Sequence, residues 1–164
     1  MSALALQDCF ELPVPPLFSW RDMLDYFLFR LIPGVEVIEG HALRQAVRLP
    51  RSFAVIEVKP APGKKALGVR VFSAREAERD FIAARLIRQF DLDAPMRKVN
   101  EALKRHRALG ALIKARPGLR VPGAFDPYLL AMRAILGQQV LVKGATTLTS
   151  RLVERYGEPI LQVA

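Results

Sequence analysis

The sequence predicts an α+β protein: an N-terminal antiparallel sheet with covering helices, followed by the first helices of an incomplete all-α domain. Three observations lead there. Apolar residues alternate strictly at Ala54, Ile56, Val58 and again at Leu67, Val69, Val71, on either side of a Pro60-Ala-Pro-Gly-Lys-Lys loop, which is the pattern of a hairpin with one buried face. Apolar residues recur at four-residue spacing in Met23, Phe27, Leu31 and in Ile82, Leu86, Phe90, the period of an amphipathic helix. After Asp93 no strand-like alternation returns, and every apolar stretch has helical spacing.

In chain order, residues 10–16 read as a short strand closed off by prolines. Residues 20–31 form the first helix, with Ser19 as N-cap and Pro33-Gly34 as the stop. Trp20 is expected to anchor that helix in the core. Strands follow at 35–39, 42–49, 52–59 and 66–72, and a helix at 76–90 carries the seam of Ile82, Leu86 and Phe90 with Ala83 and Ile87 beside it. The chain divides near 93–104, giving a sheet-bearing domain at 1–98 and a helical domain from 99–164. Within the latter, a bend at 116–123 separates the early helices from one opening at Asp126-Pro127, where Asp supplies an N-cap oxygen and Pro suits the first helical position. Leu129, Leu130, Met132, Ala134, Ile135 and Leu136 make that helix apolar on most sides, so it is expected to be buried. The last helix spans 142–156. There is no internal repeat and no low-complexity segment.

With 164 residues and 51% hydrophobic content, the chain can bury one ordinary core or two small ones. The single Cys9 rules out an internal disulfide framework and suits a reducing compartment. There is no basic-then-apolar leader and no run of about 18 apolar residues. A soluble cytoplasmic protein without membrane association is expected. The formal charge is +9. Much of it falls between Arg97 and Arg120, where Arg97, Lys98, Lys104, Arg105, Arg107, Lys114, Arg116 and Arg120 face only Glu101. Such a basic cluster attracts polyanions by counterion release, although a solvated helix face would have the same composition.

The most informative stretch is Arg116-Pro-Gly-Leu-Arg-Val-Pro-Gly, followed by Met132-Arg-Ala-Ile-Leu-Gly-Gln-Gln-Val and Leu152-Val-Glu-Arg-Tyr-Gly. Together with Pro15-Pro-Leu-Phe-Ser-Trp-Arg-Asp-Met-Leu-Asp-Tyr-Phe near the start, it resembles the bacterial DNA-3-methyladenine glycosylase II group of the helix-hairpin-helix glycosylases. The matched segments cover most of the chain in the family's order. The resemblance implies base excision repair by hydrolysis of the N-glycosidic bond of an alkylated base flipped out of duplex DNA. The partner would be double-stranded DNA with alkylated purines, met at the nucleoid.

Flipping costs roughly a few kcal/mol, and a side chain that fills the vacated space offsets part of it. The resemblance places Gln139 at this wedge, with Gln138 beside it; taken alone, the two amides would be read as caps of the preceding helix. Tyr26 aligns with an aromatic residue lining the base pocket, where an electron-rich ring would meet a cationic purine. Core packing explains a tyrosine there equally well. Arg116 and Arg120 flank the Pro117-Gly118 bend and are candidate phosphate contacts, with Arg133 and Lys143 lesser ones; an ordinary interdomain turn explains the bend equally well. His41, His106 and Cys9 have no partners at metal-ligand spacing, so neither metal nor cofactor is expected.

The family's hairpin of the Leu-Pro-Gly-Val-Gly type, followed by a catalytic Asp, has no counterpart here. Glu101, Asp126, Glu154 and Glu158 are the carboxylates beyond the division, and none follows such a hairpin. No catalytic residue is therefore assigned, and the chain alone is expected to be inactive. Leu136, Val140, Leu148 and Leu152 should leave apolar faces for a C-terminal half or for self-association. The alternative is a non-catalytic DNA-binding or interaction module, part of a larger fused repair or regulatory protein.

Overall fold

The computed structural model describes residues 4–73 and 78–160. Five antiparallel strands, β1 (Ala5–Pro13), β2 (Glu36–Glu39), β3 (Ala42–Arg48), β4 (Phe53–Pro60) and β5 (Ala66–Ser73), form one sheet in the order β1-β5-β4-β3-β2. The alternation seen in the sequence sets the register. Leu43 faces Val58, Val58 faces Val69, and Ile56 faces both Gln45 and Val71, so these side chains line one side of the sheet. Their Cβ atoms all project to that side because strand period is two residues.

Helices α1 (Trp20–Leu28) and α2 (Arg79–Gln89) cover this face. Met23, Leu24 and Phe27 from α1, and Ile82 and Leu86 from α2 with Phe90 after it, are buried against the strands. Trp20 packs edge-on to Phe90, with centroids 5.3 Å apart, and its indole N–H donates to the His41 carbonyl at 2.9 Å. Ser19 caps α1 by accepting from the Asp22 N–H. The helix stops at Leu28, three residues short of the expected end, because the Arg30 N–H turns back to the Phe27 carbonyl and the residue before Pro33 is disfavoured as helix. β1 begins at Ala5, earlier than expected, since its backbone pairs with β5 as far as Ser73. The expected start of the second helix at Glu76 lies outside the described residues.

On the other side of the sheet, Glu57 is only 3% exposed and is enclosed by three cations. Arg44 reaches it at 2.8 Å, and Arg70 and Lys59 at 3.3 Å. Burial alone would raise its pKa, but hydrogen bonds and charge from Arg44 and Lys59 outweigh that and hold the carboxyl below the ordinary glutamate value.

The remaining helices are α3 (Met96–Lys104), α4 (Gly110–Ala115), α5 (Pro127–Leu136) and α6 (Val142–Tyr156). The division expected at residue 98 thus falls inside α3. The 116–123 bend is fastened on three sides. Asn100 donates to the Pro117 carbonyl at 2.7 Å, Gly123 N–H donates to Gln89 O at 2.9 Å, and Phe125 is buried beside Phe81. Gly118 lies so close to the Leu17 carbonyl that a Cβ there would fall on its oxygen.

The expectation that α5 is buried is not met. None of its residues is buried, and Tyr128, Leu130 and Ile135 are 71%, 50% and 66% exposed. Its apolar residues lie around the whole helix, while α6 packs on part of its circumference only. Among the described residues no helix is long and apolar enough to cross a membrane.

Candidate functional site

A cleft of about 320 Å³ opens between the sheet unit and the α5–α6 pair. One wall consists of Tyr26 and Phe27 from the end of α1 and Arg30 just after it, with Glu36 and the β3 residues Gln45 to Arg48. The other consists of Phe125, Leu129, Arg133 and Gly137 with Val140, Val142 and Ala145. Segments more than a hundred residues apart in sequence therefore face one another across it.

Tyr26 stands on this wall because it is three residues after the buried Met23 and next to the buried Phe27, at the rim of the α1 apolar stripe. Its ring meets Phe27 edge-on at 5.5 Å. The Arg30 guanidinium lies 4.0 Å from the ring centroid and donates to the Tyr26 carbonyl at 3.0 Å. The ring already holds a delocalised cation, four residues further along the chain.

Glu36 accepts from the Ile32 N–H at 3.1 Å and faces Arg133 at 4.0 Å. Burial raises its pKa, opposed by the Ile32 N–H and by the Arg133 charge. Arg133 is consequently turned inward to the cleft, its side chain 21% exposed, rather than outward as a phosphate contact would be. Behind it, Gln45 and Gln89 are buried and exchange two amide hydrogen bonds, at 3.0 and 2.9 Å.

The Gly-Gln-Gln corner ends α5. The Gln138 amide donates back to the Ala134 carbonyl at 3.2 Å, so this residue caps the helix. Gln139 is exposed and left-handed, with φ 58, so the chain turns sharply there before α6. Gly137 and Val140, on either side of the two glutamines, line the cleft. Arg116 and Lys143 are exposed. Arg120 is not: only 7% of it is accessible, its guanidinium donates to the Asp91 carbonyl, and it lies over the Phe18 ring at 5.9 Å.

Of the residues singled out from sequence, the structure places Tyr26 and Arg133 on the cleft, the glutamines at its edge and Arg116, Arg120 and Lys143 off it. Sequence reasoning missed Arg30, Glu36 and the Gln45–Gln89 pair. The i, i+4 spacing of Tyr26 and Arg30 was a usable signal. Glu36, Gln45 and Gln89 had none, because strand and helix positions that far apart meet only in the fold. No group of three or more histidine, cysteine, aspartate or glutamate side chains suited to a metal occurs among the described residues.

A family model described as the AlkA N-terminal domain matches residues 9–126. This chain belongs to that family. It is 34% identical over 152 residues to a protein of Mycobacterium tuberculosis named a probable bifunctional transcriptional activator/DNA repair enzyme AlkA, covering 92% of this chain and 30% of that one. It is also 34% identical to the DNA-3-methyladenine glycosylase 2 of Escherichia coli, over 87% of this chain and 49% of that one. The chain thus spans half or less of the length of these curated relatives. The fold is also that of a 3-methyladenine DNA-glycosylase from Archaeoglobus fulgidus, with TM-score 0.74 and 18% identity over 90% of this chain and 50% of that one. A second structure, MBOgg1 in complex with a low-affinity DNA ligand, gives TM-score 0.64 and 15% identity over 98% and 52%.

Proposed function

We propose that this chain serves an alkylation-repair DNA glycosylase of the base-excision type, supplying one wall of its base pocket and its wedge. The observation that carries this reading is the cleft that joins Tyr26 to the α5–α6 corner. A nucleotide rotated out of a duplex beside Gln139 would enter the space beneath Gly137 and Val140 and meet the Tyr26 ring. Gln138 supports the corner as a cap, leaving Gln139 as the inserting side chain. Its amide would bond to the base left without a partner. Arg30 models the cation that Tyr26 accepts, and must swing aside for an alkylated purine to stack on the same ring face.

Arg116 and Lys143, both exposed, are the phosphate contacts of this reading; Arg133 acts inside the cleft, where its charge faces Glu36. Residues 1–98 would carry the pocket wall and 99–164 the wedge. No catalytic role is given to Asp126, which is occupied as the α5 N-cap, to Glu154, which accepts from the Ser150 hydroxyl, or to the cleft's Glu36, which is engaged by the Ile32 N–H and Arg133. Hydrolysis needs a carboxylate held beside the flipped sugar, which a C-terminal half resting on the exposed faces of α5 and α6 would bring.

The test is release of free 3-methyladenine from methylated duplex DNA, measured by chromatography. The chain alone should release none, and a polypeptide joining it to a C-terminal glycosylase half should release base. In that polypeptide Gln139→Ala and Tyr26→Ala should each lower release at least about tenfold, the equivalent of one lost stacking or wedge contact. Full release by both variants would overturn the assignment of the cleft.

A second reading is favoured by the name of the Mycobacterium tuberculosis relative, which joins a transcriptional activator to the repair enzyme and of which this chain spans 30%. Here the chain would be a non-catalytic DNA-binding module of a fused regulatory protein. Specific duplex binding by this chain that survives high salt, with no gain of base release in the joined polypeptide, would favour it.

A further inference from the structure

The cleft beside Tyr26 carries charge on both walls. Three guanidiniums line it, those of Arg30, Arg48 and Arg133, and two carboxylates, those of Glu36 and Asp126. Asp126 is answered by the first turn of α5, where its Oδ1 accepts from the Tyr128 N–H and the helix N-terminus offsets its charge. Arg48 is exposed and lies over the Phe53 ring at 5.4 Å. Arg30 pairs with no carboxylate among the described residues; its Nη1 donates to the Tyr26 carbonyl. Positive charge therefore exceeds negative charge in the cleft, a field that opposes a cationic ligand.

Glu36 is the group that counters this field. It opens β2 on the wall that carries Tyr26 and Arg30, and Arg133 reaches toward it from α5 on the other wall. Its Oε2 accepts from the Ile32 N–H at 3.1 Å and lies 4.0 Å from Arg133, a long ion pair. Its Oε1 accepts from no described residue and keeps access to the cleft that the residue lines. Burial raises its pKa, so the carboxylate gains from any further positive charge that enters. A ring face at Tyr26 and an unshared carboxylate oxygen are two elements that together recognise a flat cation. The ring acts by its quadrupole and the oxygen by charge-assisted hydrogen bonding.

We propose that Glu36 is the residue by which the cleft distinguishes a cationic purine from a neutral one, its free oxygen accepting from an amino N–H of the base while Tyr26 holds the ring face. The ligand class is a purine carrying delocalised positive charge, and the proposal rests on the reading of the cleft as a base pocket. Without the Glu36 charge, the three guanidiniums would oppose entry of such a base. A neutral purine needs only the ring.

The experiment is a titration of the ¹⁵N-labelled chain, near neutral pH, with two nucleosides that differ only in the position of a methyl group and in one proton. 1-Methyladenosine is a cation there, and N6-methyladenosine is neutral. The amide signals of Tyr26, Phe27 and Glu36 report entry to the cleft. The cation should bind at least about tenfold more tightly than the neutral nucleoside, the worth of a charge-assisted hydrogen bond. Glu36→Gln, whose amide oxygen can still accept from the Ile32 N–H, should lower affinity for the cation at least about tenfold and leave that for the neutral nucleoside within about twofold. Arg133→Gln separates charge from scaffolding. It breaks the same ion pair but keeps the carboxylate, so affinity for the cation should equal or exceed that of the unaltered chain. Equal affinities for the two nucleosides, an unchanged preference in Glu36→Gln, or a parallel loss in both variants would overturn the proposal while leaving the cleft as a base pocket. Binding of neither nucleoside, with no shift at Tyr26, would overturn both.

Discussion

Gln45 and Gln89 offer the sharpest test of how the sheet and α2 are joined. They are 3% and 1% exposed, and each amide both donates to and accepts from the other. Gln89→Leu removes both bonds at once and strands one donor and one acceptor of Gln45 in the core. Leaving a buried polar group unsatisfied costs about 1–3 kcal/mol. Two such groups, offset by the added apolar burial of leucine, place the loss at about 2–4 kcal/mol. For a chain of this size that lowers Tm by roughly 5–15 °C. Gln45→Leu should cost a similar amount. The double variant strands nothing and should recover most of the loss, giving a coupling of roughly 2 kcal/mol or more. Urea unfolding followed by circular dichroism, with equal m-values required of all four proteins, measures the cycle. Additive losses, or a Gln89→Leu loss under about 0.5 kcal/mol, would mean that the pair is not closed off from water and the argument fails.

Gly118→Ala should lose about 1–3 kcal/mol, the cost of an overpacked contact, because the new Cβ meets the Leu17 carbonyl and the bend must shift; thermal unfolding reads this directly. Asp126→Ala removes the acceptor of the Tyr128 N–H, and about 1 kcal/mol of α5 stability should go with it, visible as faster amide exchange in the first turn of that helix. Buried Glu57 and half-buried Glu36 should give opposite pH dependences. Glu57 has a depressed folded pKa, so its contribution is present above the ordinary value of 4.5 and is lost as pH falls through the folded one; Glu57→Gln should remove that acid-side slope and destabilise the protein at pH 7. Glu36 has a raised folded pKa and binds its proton more tightly when folded, so stability declines as pH rises from 4.5 through the folded value. Glu36→Gln should abolish this decline, measured as unfolding free energy at pH 4.5 against pH 7.

Strand alternation at Ala54–Val58 and Leu67–Val71, the Ser19 and Asp126 caps and the seam of Ile82, Leu86 and Phe90 were all legible in the sequence. Each depends on local period or on neighbours within four residues, and these fix which face a side chain takes. The sequence also contained the motif that marks the family, and the resemblance drew attention to Tyr26, which lines the cleft, and to Gln139, which sits between the cleft residues Gly137 and Val140. What it could not contain was the far side of each contact. Asp91 must turn back before its carbonyl can meet Arg120, and Arg133 faces Glu36 across 97 positions of chain. The same limit explains the error over α5: apolar composition reports a tendency to be covered, while coverage depends on what packs there. Charge in the sequence likewise did not report exposure: Arg120 is buried and Arg133 turns toward Glu36, since a cationic side chain is a surface donor only where the fold leaves it in water. Local patterning therefore determined the elements and their inward faces, and only the tertiary structure decided which polar groups were buried, paired or left with donors to offer.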